Sequence, residues 1–266
     1  SLNSAYNKLL AQGIKIDFAR TTTGDGYYIW NRDLGPRANQ DLFFFMLLVV
    51  ADNAVARAAS RGNTVPVVRT GYHIGGHYEL YQAEGVNPSV ISYIVGDVTI
   101  ELARMVDLAQ ANQILIGDFH SEQAAWGTAD ITSITAVPAT LFVNTCNRDL
   151  SAVCGTQLSG KTIDAISCGL TESVEEDGKS RPRRFRIVDK HGLSRHAYNL
   201  QMEIDLEGRR LSLGLDESLL PGRGVPTRQE TSPAPAQPAG APSAEELFDD
   251  LASMLKKRSA KTITED

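Results

Sequence analysis

A few residues in this chain have the type and spacing to do chemistry. Asp25 sits in the turn Gly24-Asp25-Gly26. A carboxylate on such a turn can ligate a divalent cation, or it can hydrogen-bond its own backbone as turn aspartates commonly do. Arg104 lies in the run that follows Gly96-Asp97. A helix arginine there can offset charge on a reacting phosphate or form an ordinary surface ion pair. Gly155-Thr-Gln-Leu-Ser-Gly160-Lys161-Thr162 matches the spacing of a phosphate-binding loop. In that reading backbone N–H groups and Lys161 cradle the phosphates, which requires a strong strand before the loop and a helix after it. His73 and His77 are four residues apart with Gly75-Gly76 between them. The glycines argue against a metal-binding helix, so strand histidines satisfied locally are expected. Arg181, Arg183, Arg184 and Arg186 form a basic cluster that reads as a solvated face. Tyr27, Tyr28 and Trp30 read as core rather than as a base-stacking platform.

Bulk properties narrow the choices. The chain has 266 residues, a formal charge of −6 and 42% hydrophobic residues. That supports one large domain, or a domain with a tail, and does not favour nucleic acid as a partner. Three cysteines without a Cys-x-x-Cys pair read as reduced thiols of a cytoplasmic protein. The apolar run from Leu42 to Ala51 is shorter than the roughly 20 residues a membrane span takes, so no membrane span is expected.

The elements that must hold these residues follow from periodicity. Leu2 to Leu10 has helical spacing and stops before Gly13. Ile14 to Trp30 reads as two strands around the Asp25 turn. Asp41 to Arg61 reads as one helix whose first half is apolar all round, and such a helix must be buried on most sides. Val65 to Ile74, His77 to Gln82 and Ile91 to Val95 read as strands, and a helix then runs from Gly96 towards Gln113. Thr140 to Val143 reads as a short strand, and Glu172 to Arg184 as a charged loop. Phe185 to Asp189, Ala197 to Leu206 and Arg210 to Leu215 read as strands. Residues 225–242 form a Pro/Ala-rich linker. Residues 243–266 hold an amphipathic helix and tail, with a capping box at Ser243 and Glu246 and a stripe of Leu247, Phe248, Leu251, Met254 and Leu255. A tethered helix over Ser243–Arg258 suggests a docking element for a protein partner.

Taken in order, Thr23-Gly-Asp-Gly-Tyr-Tyr-Ile-Trp30, Arg69-Thr-Gly-Tyr-His-Ile-Gly, the apolar strand ending in Gly96-Asp97, Arg104, and Gln113-Ile-Leu-Ile116 resemble the catalytic domain of the class III nucleotidyl cyclases. The resemblance runs from about Ile14 to Phe119. It implies an α/β fold of the α+β kind, an antiparallel-rich sheet flanked by helices, here over residues 1–224 with a C-terminal β-hairpin extension. It also implies a nucleoside triphosphate substrate, Mg²⁺ or Mn²⁺ held by two aspartates, and an active site completed across a homodimer. On that pattern Asp25 matches the second metal aspartate and Arg104 the transition-state arginine. Thr21 and Tyr93 fall at the two positions that read the base.

The departures set the functional expectation. The first metal aspartate belongs on a strand before the opening helix, and this sequence begins after it. The family's catalytic asparagine stands four residues before the arginine, where this chain has Ile100. An apolar side chain cannot hydrogen-bond a ribose. Thr21 and Tyr93 are not the lysine and aspartate that read adenine in the family. The expectation is therefore a divergent, catalytically impaired cyclase-homology protein acting as a dimerising regulatory or signalling module. The alternatives are an active cyclase with altered base preference, and a phosphate-loop nucleotidase using Lys161.

Overall fold

The computed structural model describes residues 2–23, 26–62, 64–83, 90–124, 134–175, 177–188 and 192–216. All of them lie in the first of two units, which ends at Thr227. The expected linker and the helix Ser243–Arg258 fall outside the described residues.

Helix α1 (Leu2–Ala11) leads into the hairpin β1 (Phe18–Thr22) and β2 (Tyr27–Asn31). Helix α2 (Ala38–Ala59) follows, then β3 (Thr70–Tyr72) and the hairpin β4 (Tyr78–Ala83) and β5 (Val90–Val95). Next come α3 (Asp97–Leu108), β6 (Ile114–Gly117), the hairpin β7 (His120–Ala124) and β8 (Ile134–Pro138), and α4 (Ala139–Asp149). After β9 (Gln157–Leu158) the chain is nearly all strand: β10 (Lys161–Leu170), β11 (Glu172–Val174), β12 (Ser180–Pro182), β13 (Arg184–Val188), β14 (Ser194–Leu206) and β15 (Arg209–Leu213). This is a mixed α+β fold.

The main sheet is built on β14. Its first half pairs with β6 and β13, and its second half with β10 and β15, all antiparallel. Strand β3 joins outside β6, in parallel register (Tyr72 opposite Ile116). Alternation along the strands gives the sheet two faces. Tyr72, Ile114, Ile116, Leu200, Met202 and Ile204 point into a large core with α1, α2 and α4. On the other face Leu115, Ile187 and Ala197 meet Met105 and Ala109 of the α3 segment. Helix α3 can lie so close because β3 has Gly71 under it, where a Cβ would stand 2.9 Å from Leu102 Cδ1 and 3.0 Å from Val106 Cγ2.

Helix α2 has the length and apolar content of a membrane-crossing helix, but half of that stretch lies buried within this fold. Phe43, Phe44, Phe45, Leu47 and Leu48 are buried on several sides, as an all-round apolar helix requires. Phe43 and Phe142 meet edge-to-face at 5.6 Å, and both rings touch Tyr72. The Tyr72 hydroxyl donates to the Asn39 carbonyl at 2.8 Å and so ties β3 to the start of α2.

Two local expectations are corrected. Thr140 to Val143, expected as a strand, lies inside α4. Ala139, Phe142, Val143 and Cys146 are its buried residues, spaced as one helical face. Part of Glu172 to Arg184, expected as a loop, forms the short ladder β11–β12.

Candidate functional site

The residues singled out in the sequence sit on three adjoining pieces of the structure. Thr21 is on β1, opposite Tyr28 of β2. Tyr93 is on β5, opposite Leu80 of β4, and β5 runs beside β1. Arg104 is on α3, half-buried, one turn after Ile100. Asp25 lies outside the described residues. The two hairpins and α3 share one neighbourhood. Burial raises the Tyr28 phenol above its usual range, and the nearby Asp107 carboxylate of α3 adds to the shift. The end of β2 is tied to the other hairpin by Arg32, whose Nε donates to Glu79 Oε2 of β4 at 3.0 Å and whose guanidinium lies over the Tyr81 ring at 5.9 Å. The structure thus brings Thr21, Tyr93 and Arg104 onto neighbouring elements.

The two positions expected to read a base hold Thr21 and Tyr93. Tyr93 shares an outward face with Leu80, and both are exposed. The next pair on that face is Tyr78 and Val95, so Tyr78, Leu80, Tyr93 and Val95 form one exposed apolar surface; Tyr78 is 75% exposed and Leu80 51%. Ile100, on the first turns of α3, is 45% exposed.

One half-buried polar cluster was not read from the sequence. It lies where β3 and β6 end and α3 begins, at the carboxyl end of the parallel pair. Ligands in α/β sheets commonly bind at such ends. His73 Nε2 meets the Glu101 carboxylate of α3, and Arg195 of β14 holds the other Glu101 oxygen. Burial and then the Arg195 charge lower His73 to about 4. Burial and Arg195 thus favour an uncharged ring that donates Nε2–H to Glu101, while the Asp118 carboxylate acts in the opposite sense. His73 Nδ1 is buried without a hydrogen-bond partner. It rests on Gly117, where a Cβ would stand 2.4 Å away. With Nδ1 sealed and Nε2 committed, the ring positions Glu101 and is not free to exchange protons with a ligand. Glu101 is the reachable group, held from two sides.

A second set lies at the same sheet edge. Arg184 Nη2 is 3.2 Å from Asp118 Oδ2 and 2.7 Å from His196 Nδ1, while the Tyr198 hydroxyl donates to Asp118 Oδ1 at 3.3 Å. Both clusters pair cations with carboxylates, so neither is a ready anion site.

The expectation of a locally satisfied strand histidine is met only in part: His73 follows β3, Glu101 of α3 takes Nε2, and Nδ1 has no partner. Glu101 and Arg195 gave no signal of their own, because their pairing spans 94 residues. The run Gly155–Thr162 does not have the shape its spacing suggested. Lys161 pairs with Leu158 across a tight turn at Ser159-Gly160, and it opens strand β10 rather than a helix. Gly155 N–H donates to the Ile163 carbonyl, and Ile163 N–H to that of Thr156. These donors close a hairpin and are not aimed at a phosphate. Among the described residues, no three His, Cys, Asp or Glu side chains converge to hold a metal ion. They do not by themselves fit a two-ion centre. Cys146 and Cys168 are buried, and burial raises both thiols, Cys168 to about 12. They are protonated at neutral pH and unreactive.

Compared with protein-family models, with curated proteins and with solved structures, the chain has no match in any of the three.

Proposed function

We propose that this chain is a divergent cyclase-homology domain of the class III type, impaired in nucleotide turnover, that acts as a homodimeric regulatory module. The order of elements supports the reading: a hairpin at the Gly-Asp-Gly turn, a long helix, the β3 to β6 parallel pair, and α3 with Arg104 packed across it. The observation that carries the impaired half is Ile100. It stands exposed on α3 one turn before Arg104, where the resembled family needs an amide to bind ribose. The observation in favour of a dimer is the exposed apolar face of the β4–β5 hairpin, which a second copy of the chain would cover.

The test is turnover of ATP, GTP, CTP and UTP with Mg²⁺ or Mn²⁺, on protein carrying its native N-terminus. The expected outcome is no cyclic product from any of the four. A cyclic product that disappears in Asp25→Ala would overturn the impaired reading and establish an active cyclase of altered base preference.

A further inference from the structure

The edge of β14 that carries β6 also carries β15, one after the other along the strand. Neither fills the junction between them. A cleft of about 390 Å³ opens there, lined by the C-terminal part of α2 from Val50 onward and by Gly62, Val65 and Val68. That volume is within the range of small-molecule sites. Its walls are mixed: Val50 and Ala54 from α2, Val68 before β3 and Leu213 from β15 give apolar surface, and Asn53, Ser60, Thr70, Asn112 and Ser212 add polar groups.

One charged residue lines it. Arg57 is half-buried, and its Nη1 donates to Asn112 Oδ1 at 2.8 Å. No Asp or Glu is among the lining residues, and among the described residues no carboxylate pairs with Arg57. An arginine in the last turn of a helix can serve merely to oppose the helix dipole. Here it does not cap its own helix: the Arg57 carbonyl takes Ser60 N–H at 3.2 Å and the Ser60 hydroxyl at 2.9 Å, while the guanidinium reaches across to Asn112. Asn112 is fixed in turn. It has a left-handed backbone (φ 66°), and its N–H donates to the Val68 carbonyl at 3.1 Å. The fork is thus held at the cleft by one of its N–H groups.

We propose that this cleft binds a small apolar monocarboxylate. A planar carboxylate matches the guanidinium fork through two parallel charge-assisted hydrogen bonds. The apolar body of the ligand lies against Val50, Ala54, Val68 and Leu213. This site is separate from the α3 region and does not depend on the cyclase reading.

The experiment is an amide chemical-shift titration of the full chain with sodium hexanoate, beside 1-hexanol and inorganic phosphate. Hexanoate is expected to give saturable shifts at Asn53, Val68, Asn112 and Leu213. Hexanol and the variant Arg57→Leu should each bind about tenfold more weakly or worse. Ala54→Phe, which fills the cleft without touching the charge, should abolish the shifts while the unfolding temperature shows that the variant is folded. If Arg57→Leu does not fold, Ala54→Phe and the hexanol comparison decide the matter. The proposal is overturned by equal binding of hexanol and hexanoate, by unchanged binding in folded Arg57→Leu or Ala54→Phe, or by shifts elsewhere. Phosphate saturating these amides where hexanoate does not would overturn the carboxylate assignment.

Discussion

Burial and the Arg195 guanidinium oppose protonation of His73, and they outweigh the Asp118 carboxylate, which favours it. Its pKa falls from 6.5 to about 4. Between those values the unfolded chain binds more protons than the folded one. The stability gained from an uncharged His73 is therefore complete above about pH 6.5 and is lost as the pH falls towards 4. The loss is at most about 3 kcal/mol. Urea unfolding at pH 7 and pH 4 should show a larger drop in wild type than in His73→Gln, by about 2–3 kcal/mol. Equal drops would remove His73 as the cause. The sequence suggested only that this histidine is not part of a metal-binding helix. Its partners were not foreseeable, because Glu101 and Arg195 come from other elements and meet only once α3 lies over the sheet.

Among the elements, α2 was plain in the sequence because an uninterrupted apolar helix has few places to go. The helix α4 was not. Leu141-Phe-Val143 in isolation has the composition of a strand, and only the longer spacing of Ala139, Phe142, Val143 and Cys146 reveals a helical face. Phe142 is fully buried and touches the rings of Phe43, Tyr72 and Phe119. Phe142→Ala should cost about 3–5 kcal/mol, read as a shift of the denaturation midpoint. A cost below about 1 kcal/mol would be incompatible with α4 packed on that cluster. The Gly155–Thr162 run shows how little a short spacing carries by itself. Its spacing alone fits a phosphate loop, but the two-residue turn at Ser159-Gly160 suits a hairpin equally well, and local sequence does not distinguish them.

For the molecule as a whole, the sequence indicated an antiparallel-rich α+β fold with extra strands at its C-terminal end. It did not indicate that β14, one of those strands, is the centre of the sheet. Pairing between segments some 80 residues apart leaves no periodic trace in either one (Leu115 lies opposite Asn199). The outward face of the β4–β5 hairpin belongs to this scale, since its meaning depends on a second molecule. On the proposed dimer, Leu80→Asp should shift the protein towards monomer in sedimentation velocity and leave the unfolding free energy within about 0.5 kcal/mol. An unchanged sedimentation coefficient would place any dimer contact elsewhere.

The placement of β14 also bears on how the protein is made. A ribosome delivers α2, β3 and β6 long before Ser194 emerges, and β6 then has β3 but not the strand that closes its other edge. Throughout that interval Phe43, Phe44 and Phe45 lack the Leu200, Met202 and Ile204 side of their core. Long-range pairing of this kind is slow, and the waiting chain exposes what aggregates most readily. A nascent chain arrested before β14 is therefore a natural client for chaperones, and one released after Leu213 is not.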